Sequence, residues 1–114
     1  MNIIQRLKSN REFRNVYDTG KSFANKYVVI FFVKNNLDYN RIGVSATKKL
    51  GNSVLRNKTR RRIKEAYRLN QDKVRQGYDI VFLTRANAKN TSYKEIESAI
   101  LHILKISGLL KKGE

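Results

Sequence analysis

Apolar residues along this chain change their period several times, and each change predicts an element. Between Ser9 and Asp18, Phe13, Val16 and Tyr17 fall at helical spacing and Gly20 follows as a stop, which predicts a short amphipathic helix. Ser22 to Val33 then reads as one strand. In its second half Tyr27, Val29, Phe31 and Val33 share one face, and Val28, Ile30 and Phe32 share the other. Both faces are apolar, so both are expected to be covered. After the polar turn at Asn35-Asn36, Arg41 to Thr47 alternates cleanly: Ile42, Val44 and Ala46 face one way, and Arg41, Gly43, Ser45 and Thr47 the other.

A long helix is predicted from Ser53 to Asn70, with Asn52 or Ser53 able to cap its first free amides. Such a helix spans about 27 Å, comparable to the width of the whole domain. Tyr78 to Thr84 reads as a third strand, opened by Gly77. Ser92-x-x-Glu95 is a capping box for a last helix, on which Ile96, Ala99, Ile100, Ile103, Leu104 and Ile106 cover an arc of about 160°. The order is helix, two strands, helix, strand, helix. It predicts an α/β (α+β) two-layer sandwich, a small mixed sheet with three helices in a single domain over residues 1–114. No repeat or linker interrupts it, and proline is absent.

Composition narrows the function. A chain of 114 residues with 40% hydrophobic positions can fold around one core. It has no cysteine, which excludes disulfides, thiolate metal sites and cysteine chemistry. Twenty-five Lys and Arg against nine Asp and Glu leave +16, so a polyanionic partner is expected. A membrane is not: the longest apolar run, Tyr27 to Val33, is too short to span a bilayer. Arg6 and Lys8 interrupt Ile3, Ile4 and Leu7, so no signal-peptide core is read there, and a cytoplasmic location is expected.

The charge has an address. Of the 21 residues from Lys48 to Arg68, nine are basic and only Glu65 is acidic. On a helical wheel Leu55, Thr59, Ile63, Ala66 and Tyr67 form the arc that faces a sheet, while Arg56, Asn57, Arg60, Arg61, Lys64 and Arg68 occupy an adjoining arc of roughly 140°. Solvated helix faces commonly mix signs, because like charges at i,i+4 repel by a few tenths of a kcal/mol per pair. Arg56, Arg60, Lys64 and Arg68 are four like charges at that spacing, which favours nucleic acid as the partner. Arginine's planar fork matches phosphate geometry and points the same way.

Phe13, Tyr17 and Phe31 are open to two readings, as core residues or as rings on which single-stranded bases stack. Beside a basic helix, the set suggests a groove for extended RNA. Autonomous catalysis is poorly supported, since the nine acids are scattered and no carboxylate cluster for a two-metal nuclease is visible. His102, the sole histidine, lies at the flank of the last helix's apolar arc and reads as packing or surface. Gly20-Lys21-Ser22 lacks the first glycine of a phosphate loop, because position 15 is Asn.

The run from Lys48-Lys49-Leu50-Gly51-Asn52-Ser53-Val54 through Arg56-Asn57-Lys58-Thr59-Arg60-Arg61-Arg62-Ile63-Lys64 closely resembles the signature helix of the bacterial ribonuclease P protein subunit. That family's pattern is Lys-Lys-x-Gly-Asn-Ala-Val, then Arg-Asn-x-x-Lys-Arg-x-x-Arg. The likeness extends to Leu7-Lys8, Phe13, Val16-Tyr17 and Gly20-Lys21-Ser22, and to Arg41-Ile42-Gly43-Val44-Ser45. Arg60 stands where the family has Lys and Lys64 where it has Arg, so charge is kept but Lys64 lacks the bidentate fork.

The resemblance implies a protein cofactor of a catalytic RNA that removes the 5′ leader from precursor tRNA. In that reading the endonucleolytic chemistry and its Mg²⁺ belong to the RNA, and the chain itself binds no cofactor or metal. Its partners would be the catalytic RNA and precursor tRNA, with no obligate protein partner. Carried over, Lys48, Lys49, Arg56, Asn57, Arg60, Arg61, Lys64 and Arg68 would contact the catalytic RNA. Phe13, Tyr17, Phe31, Ser45 and Thr47 would line a cleft for the single-stranded leader. A left-handed βαβ crossover is also implied, against the usual rule. A stand-alone RNA chaperone or ribosomal-type binding module is the competing expectation, since it needs only charge and aromatics.

Overall fold

A computed structural model describes residues 4–112. In chain order the elements are β1 (Gln5–Arg6), α1 (Asn10–Thr19), β2 (Lys21–Ala24), β3 (Val28–Lys34), β4 (Arg41–Ala46), α2 (Ser53–Asn70), β5 (Tyr78–Thr84) and α3 (Tyr93–Ile106). Side-chain caps decide where the helices begin. Ser9 and Glu12 form a reciprocal capping box at α1, and Ser92 and Glu95 form the expected one at α3. At α2 it is Asn52, not Ser53, whose side chain accepts from the Leu55 amide at 3.0 Å.

The strands form one mixed sheet in the order β1-β4-β5-β3-β2. β1, β4 and β5 run parallel, while β3 is antiparallel to both β5 and β2. The single strand expected from Ser22 to Val33 is corrected to a hairpin. Asn25 breaks it: its side-chain oxygen accepts from the amides of Tyr27 at 3.1 Å and Val28 at 3.0 Å, folding the chain back on itself. β1 was not expected, because two residues carry no readable period. β4 stops at Ala46, one residue short of the expected Thr47, which instead caps a 3₁₀ turn at Lys48–Leu50.

α2 and α3 cover one face of the sheet and α1 covers part of the other, so the doubly apolar β3 is fully enclosed on one side only. Val28, Ile30, Phe32, Ile42, Ile80 and Phe82 pack against α2 and α3, whose buried stripes are Thr59, Ile63, Ala66, Tyr67 and Asn70 on one and Ile96, Ala99, Ile100, Ile103 and Leu104 on the other. Ile106 was expected in that stripe, but it lies at the helix's last turn and is 41% exposed. On the opposite face α1 covers only part of the sheet, with Val16 and Leu7 against Val81, flanked by Phe13, Phe31 and Val33. Gly20 lets α1 turn tightly into β2: a Cβ there would sit 2.5 Å from the Val16 carbonyl oxygen and 2.7 Å from that of Phe32.

Arg41 ties α1 to the sheet. Its guanidinium donates from Nε and Nη2 to both oxygens of the buried Asp79, at 2.8 and 2.7 Å, and from Nη1 to Glu12 at 2.9 Å. Asp79 also accepts from Asn35 at 2.9 Å. These two acids, 67 residues apart in sequence, meet only through that arginine. They are an ion-pair clamp rather than a carboxylate pair for catalysis.

Candidate nucleic-acid interface

The buried stripe of α2 turns its cationic arc outward. Thr59, Ile63, Ala66 and Tyr67 are buried and Leu55 is half-buried, so the arc expected to face the sheet does so. Arg61, Asn57, Lys48 and Lys49 are exposed, and Arg56, Arg60 and Lys64 are partly so. Arg56 donates to the Gly51 carbonyl at 2.9 Å, and Arg60 donates to Asn57. These contacts pre-orient two guanidinium groups without neutralising them.

Arg68 differs from its neighbours. Its Nε and Nη2 donate to the two carboxylate oxygens of Glu65 at 2.9 and 2.7 Å, a fork along one helix turn. A row of four uncompensated cations at i,i+4 is therefore corrected to three, Arg56, Arg60 and Lys64, plus a paired fourth. The pairing holds Glu65 below the usual carboxylate range, chiefly through the hydrogen bond from Arg68.

Lys64 links the two sheet faces at the edge. With Arg6 and Lys8 it lines a cavity of about 440 Å³ whose other walls include Phe13, Ile42, Gly43 and Val44. Desolvation, and then the nearby charges of Arg6 and Arg60, push the Lys64 ammonium below the ordinary lysine value. A partly desolvated cation among cations binds an anion more strongly than a free surface lysine does, because the anion relieves existing repulsion.

On the α1 side, Tyr17 and Phe31 meet edge to face with ring centroids 4.8 Å apart. Phe13 lies over the backbone of β4, which only glycine permits: a Cβ at Gly43 would fall 2.5 Å from two Phe13 ring carbons. All three aromatics thus lie on the α1 side of the sheet. Phe13 and Phe31 are half-buried against the small cluster, whereas Tyr17 is 37% exposed. Strand register places Ser45 opposite Leu83, itself opposite Val29, in the row next to Phe31. Thr47 lies beyond the strand, its hydroxyl accepting from the Lys49 amide at 3.4 Å.

The sheet surface past α1 also includes Val29 and Leu83, half-buried, with Ser22 and Ala24 from β2. Sequence reasoning did not select these four. Val29 had the right parity in its strand, but that Leu83 lies on the same surface follows only from the pairing of β3 with β5. His102 is exposed on α3, its Nδ1 3.2 Å from the Asn25 amide nitrogen, across the sheet from Tyr17 and Phe31. Among the described residues no three His, Asp or Glu side chains converge as a metal site. Among them, too, no helix is long and apolar enough to cross a membrane.

Comparisons with known proteins bear on the family and the fold. The family model described as Ribonuclease P matches residues 1–108. The ribonuclease P protein component of Alkaliphilus metalliredigens is 53% identical over 100 residues, covering 88% of this chain and 90% of the relative. That of Clostridioides difficile is 52% identical over 100 residues, covering 87% and 88%. The solved ribonuclease P protein of Staphylococcus aureus superposes with a TM-score of 0.87 at 34% identity, covering 96% of this chain and 100% of that one. The Thermotoga maritima protein gives 0.83 at 31% identity, covering 96% and 99%. Match length and identity, together with the same fold, establish that this chain belongs to the ribonuclease P protein family.

Proposed function

We propose that the chain is the RNA-binding cofactor subunit of the ribonuclease P ribonucleoprotein, holding the catalytic RNA on α2 and the single-stranded 5′ leader of precursor tRNA in the groove between α1 and the sheet. The observation that carries this reading is the placement of two different binding chemistries on opposite faces of one thin sheet. Unpaired arginines on α2 suit the phosphates of a folded RNA, which guanidinium forks grip in pairs. Half-buried rings beside a sheet suit unstacked bases. Arg6, Lys8 and Lys64 line the sheet edge where the two surfaces meet, so both can be occupied at once.

In this function the chain performs no bond chemistry. Its cations lower the repulsion between two RNAs, which strengthens substrate binding and reduces the free Mg²⁺ that the RNA needs. The Mg²⁺ ions and the cleavage step belong to the RNA, and the complex acts in the cytoplasm. Reconstitution with a bacterial catalytic RNA tests the proposal: leader removal at low Mg²⁺ is expected to require the protein. Absence of stimulation at any Mg²⁺ concentration would overturn it. The competing RNA-chaperone reading predicts that Arg61→Ala weakens binding evenly across unrelated RNAs, whereas a subunit loses assembly with one.

A further inference from the structure

The face of β2 that points away from the leader groove carries a second set of aromatic and cationic side chains. In the β2–β3 register Lys21 opposes Phe32 and Phe23 opposes Ile30, so both lie on the side that packs α3. There a cavity of about 430 Å³ opens between β2, β3, β5 and the end of α3. Phe32 and Leu109 form its buried floor, and Phe23 is 37% exposed at its rim. The Phe23 and Phe32 rings lie 13° from parallel with centroids 6.1 Å apart, and Tyr78 meets Phe32 edge-on at 6.0 Å. Exposed Lys21 and Lys34 flank the opening, and among the described residues no acid lines it.

We infer that this cavity is a second site for single-stranded RNA, taking one nucleobase against Phe23 and the adjoining phosphates on Lys21 and Lys34. A single exposed phenylalanine would be unremarkable on any surface. Here it stands at the rim of a concave aromatic site between two lysines that form no ion pair among the described residues, on a chain carrying +16. That pairing of ring and cation is what sequence-tolerant single-strand binding uses. The site also continues the proposed leader groove. Ser22 and Ala24 of the same four-residue edge strand share the surface of Phe31 and Val29, so an RNA strand leaving that groove crosses only β2 to reach Phe23. The inference thus rests on the proposed single-strand role of the chain, and it adds a site on the reverse face.

Pentaadenylate, counted on the intact chain by native mass spectrometry and titrated by calorimetry, separates the two sites. The wild type is expected to bind two molecules. Phe31→Ala is expected to remove the groove site, and Phe23→Ala the reverse-face site. Each weakens its own site by about fivefold to 150-fold, the range of one stacked base. The double variant Lys21→Glu/Lys34→Glu, which alters no core residue, is expected to remove the reverse-face site too, and it decides the matter if Phe23→Ala impairs folding. A single bound molecule lost on Phe31→Ala alone would overturn the inference. So would two sites indifferent to the lysine pair, which would leave the cavity to a protein ligand. If Phe31→Ala leaves both sites intact while the Phe23 and lysine variants remove one, the leader-groove reading fails and this one stands.

Discussion

Gly43→Ala tests whether the groove depends on a missing side chain. The added methyl would lie 2.5 Å from Phe13 Cε2 and Cζ and 3.2 Å from Leu7 Cδ1. Carbon atoms rest at about 3.5–4.0 Å, so the ring must move by roughly 1 Å or more. Phe13 is held by its backbone on α1, and its ring can only swing outward, off Gly43 and away from the Val81 cluster. Overpacking of this kind costs about 1–3 kcal/mol. Replacing glycine within a strand returns roughly 0.5–1 kcal/mol. The net destabilisation is then about 0–2.5 kcal/mol, and a chain of this size loses up to about 10 °C in Tm. Thermal unfolding followed by circular dichroism reads that loss. Anisotropy with a labelled single-stranded RNA reads a second effect, a weakening of about fivefold or more as one stacking ring is displaced. Adding Phe13→Leu to Gly43→Ala removes the clash, so Tm recovers while RNA affinity does not. A Gly43→Ala chain that melts within about 1 °C of wild type and binds RNA normally would refute the packing argument.

Arg61→Ala is expected to lower the salt slope of binding to the catalytic RNA by about 1, whereas Arg68→Ala, already paired with Glu65, lowers it less; equal losses would refute the pairing. Asn25→Ala removes two amide-accepting contacts and a 3.0 Å donation to the Ala99 carbonyl, and is expected to cost about 2 kcal/mol in urea unfolding with an unchanged m-value. Amide donation from Lys8, then from Ser9, holds Glu12 below the ordinary carboxylate value of 4.5. A depressed folded pKa stabilises above the unfolded value and is lost as pH falls through the folded one, so Tm should drop below about pH 4.5. Glu12→Gln should lower Tm at pH 7 and converge with wild type in strong acid.

Elements with a local cause were legible in the chain. The 3.6-residue period of Leu55, Thr59, Ile63, Ala66 and Tyr67 is a property of neighbours on one helix, and it named both the buried arc of α2 and the cationic one. Ser92 and Glu95 fix the start of α3 for the same reason, and Ser9 with Glu12 are an equally local signal at the start of α1. The Lys48 to Lys64 motif and its charge excess pointed to RNA before any fold was known, because a polyanion is recognised by residue type and spacing. The apolar residues on both faces of β3 called for cover, which came in full from α2 and α3 and only in part from α1.

Other features depend on which distant segments meet. The hairpin at Asn25 was hidden because the residues on either side share one β period, and only a side chain turning back onto Tyr27 and Val28 divides them. β1 has two residues and exists because β4 presents a free edge. Glu65 lies within the basic run, but whether it serves Arg68 or solvent is a matter of side-chain conformation. Leu83 joined the groove through strand pairing, and Glu12 and Asp79 became a clamp only when Arg41 came between them. The aromatic positions were visible from the start. What made them a surface was Gly43, an absent side chain whose role appears only once α1 lies across β4. Sequence therefore determined the charge excess and the helix that carries it, since charge and helical period are local. Tertiary structure decided the aromatic surface beside α1, because its residues come from α1, β2, β3, β4 and β5, which meet only in the folded chain.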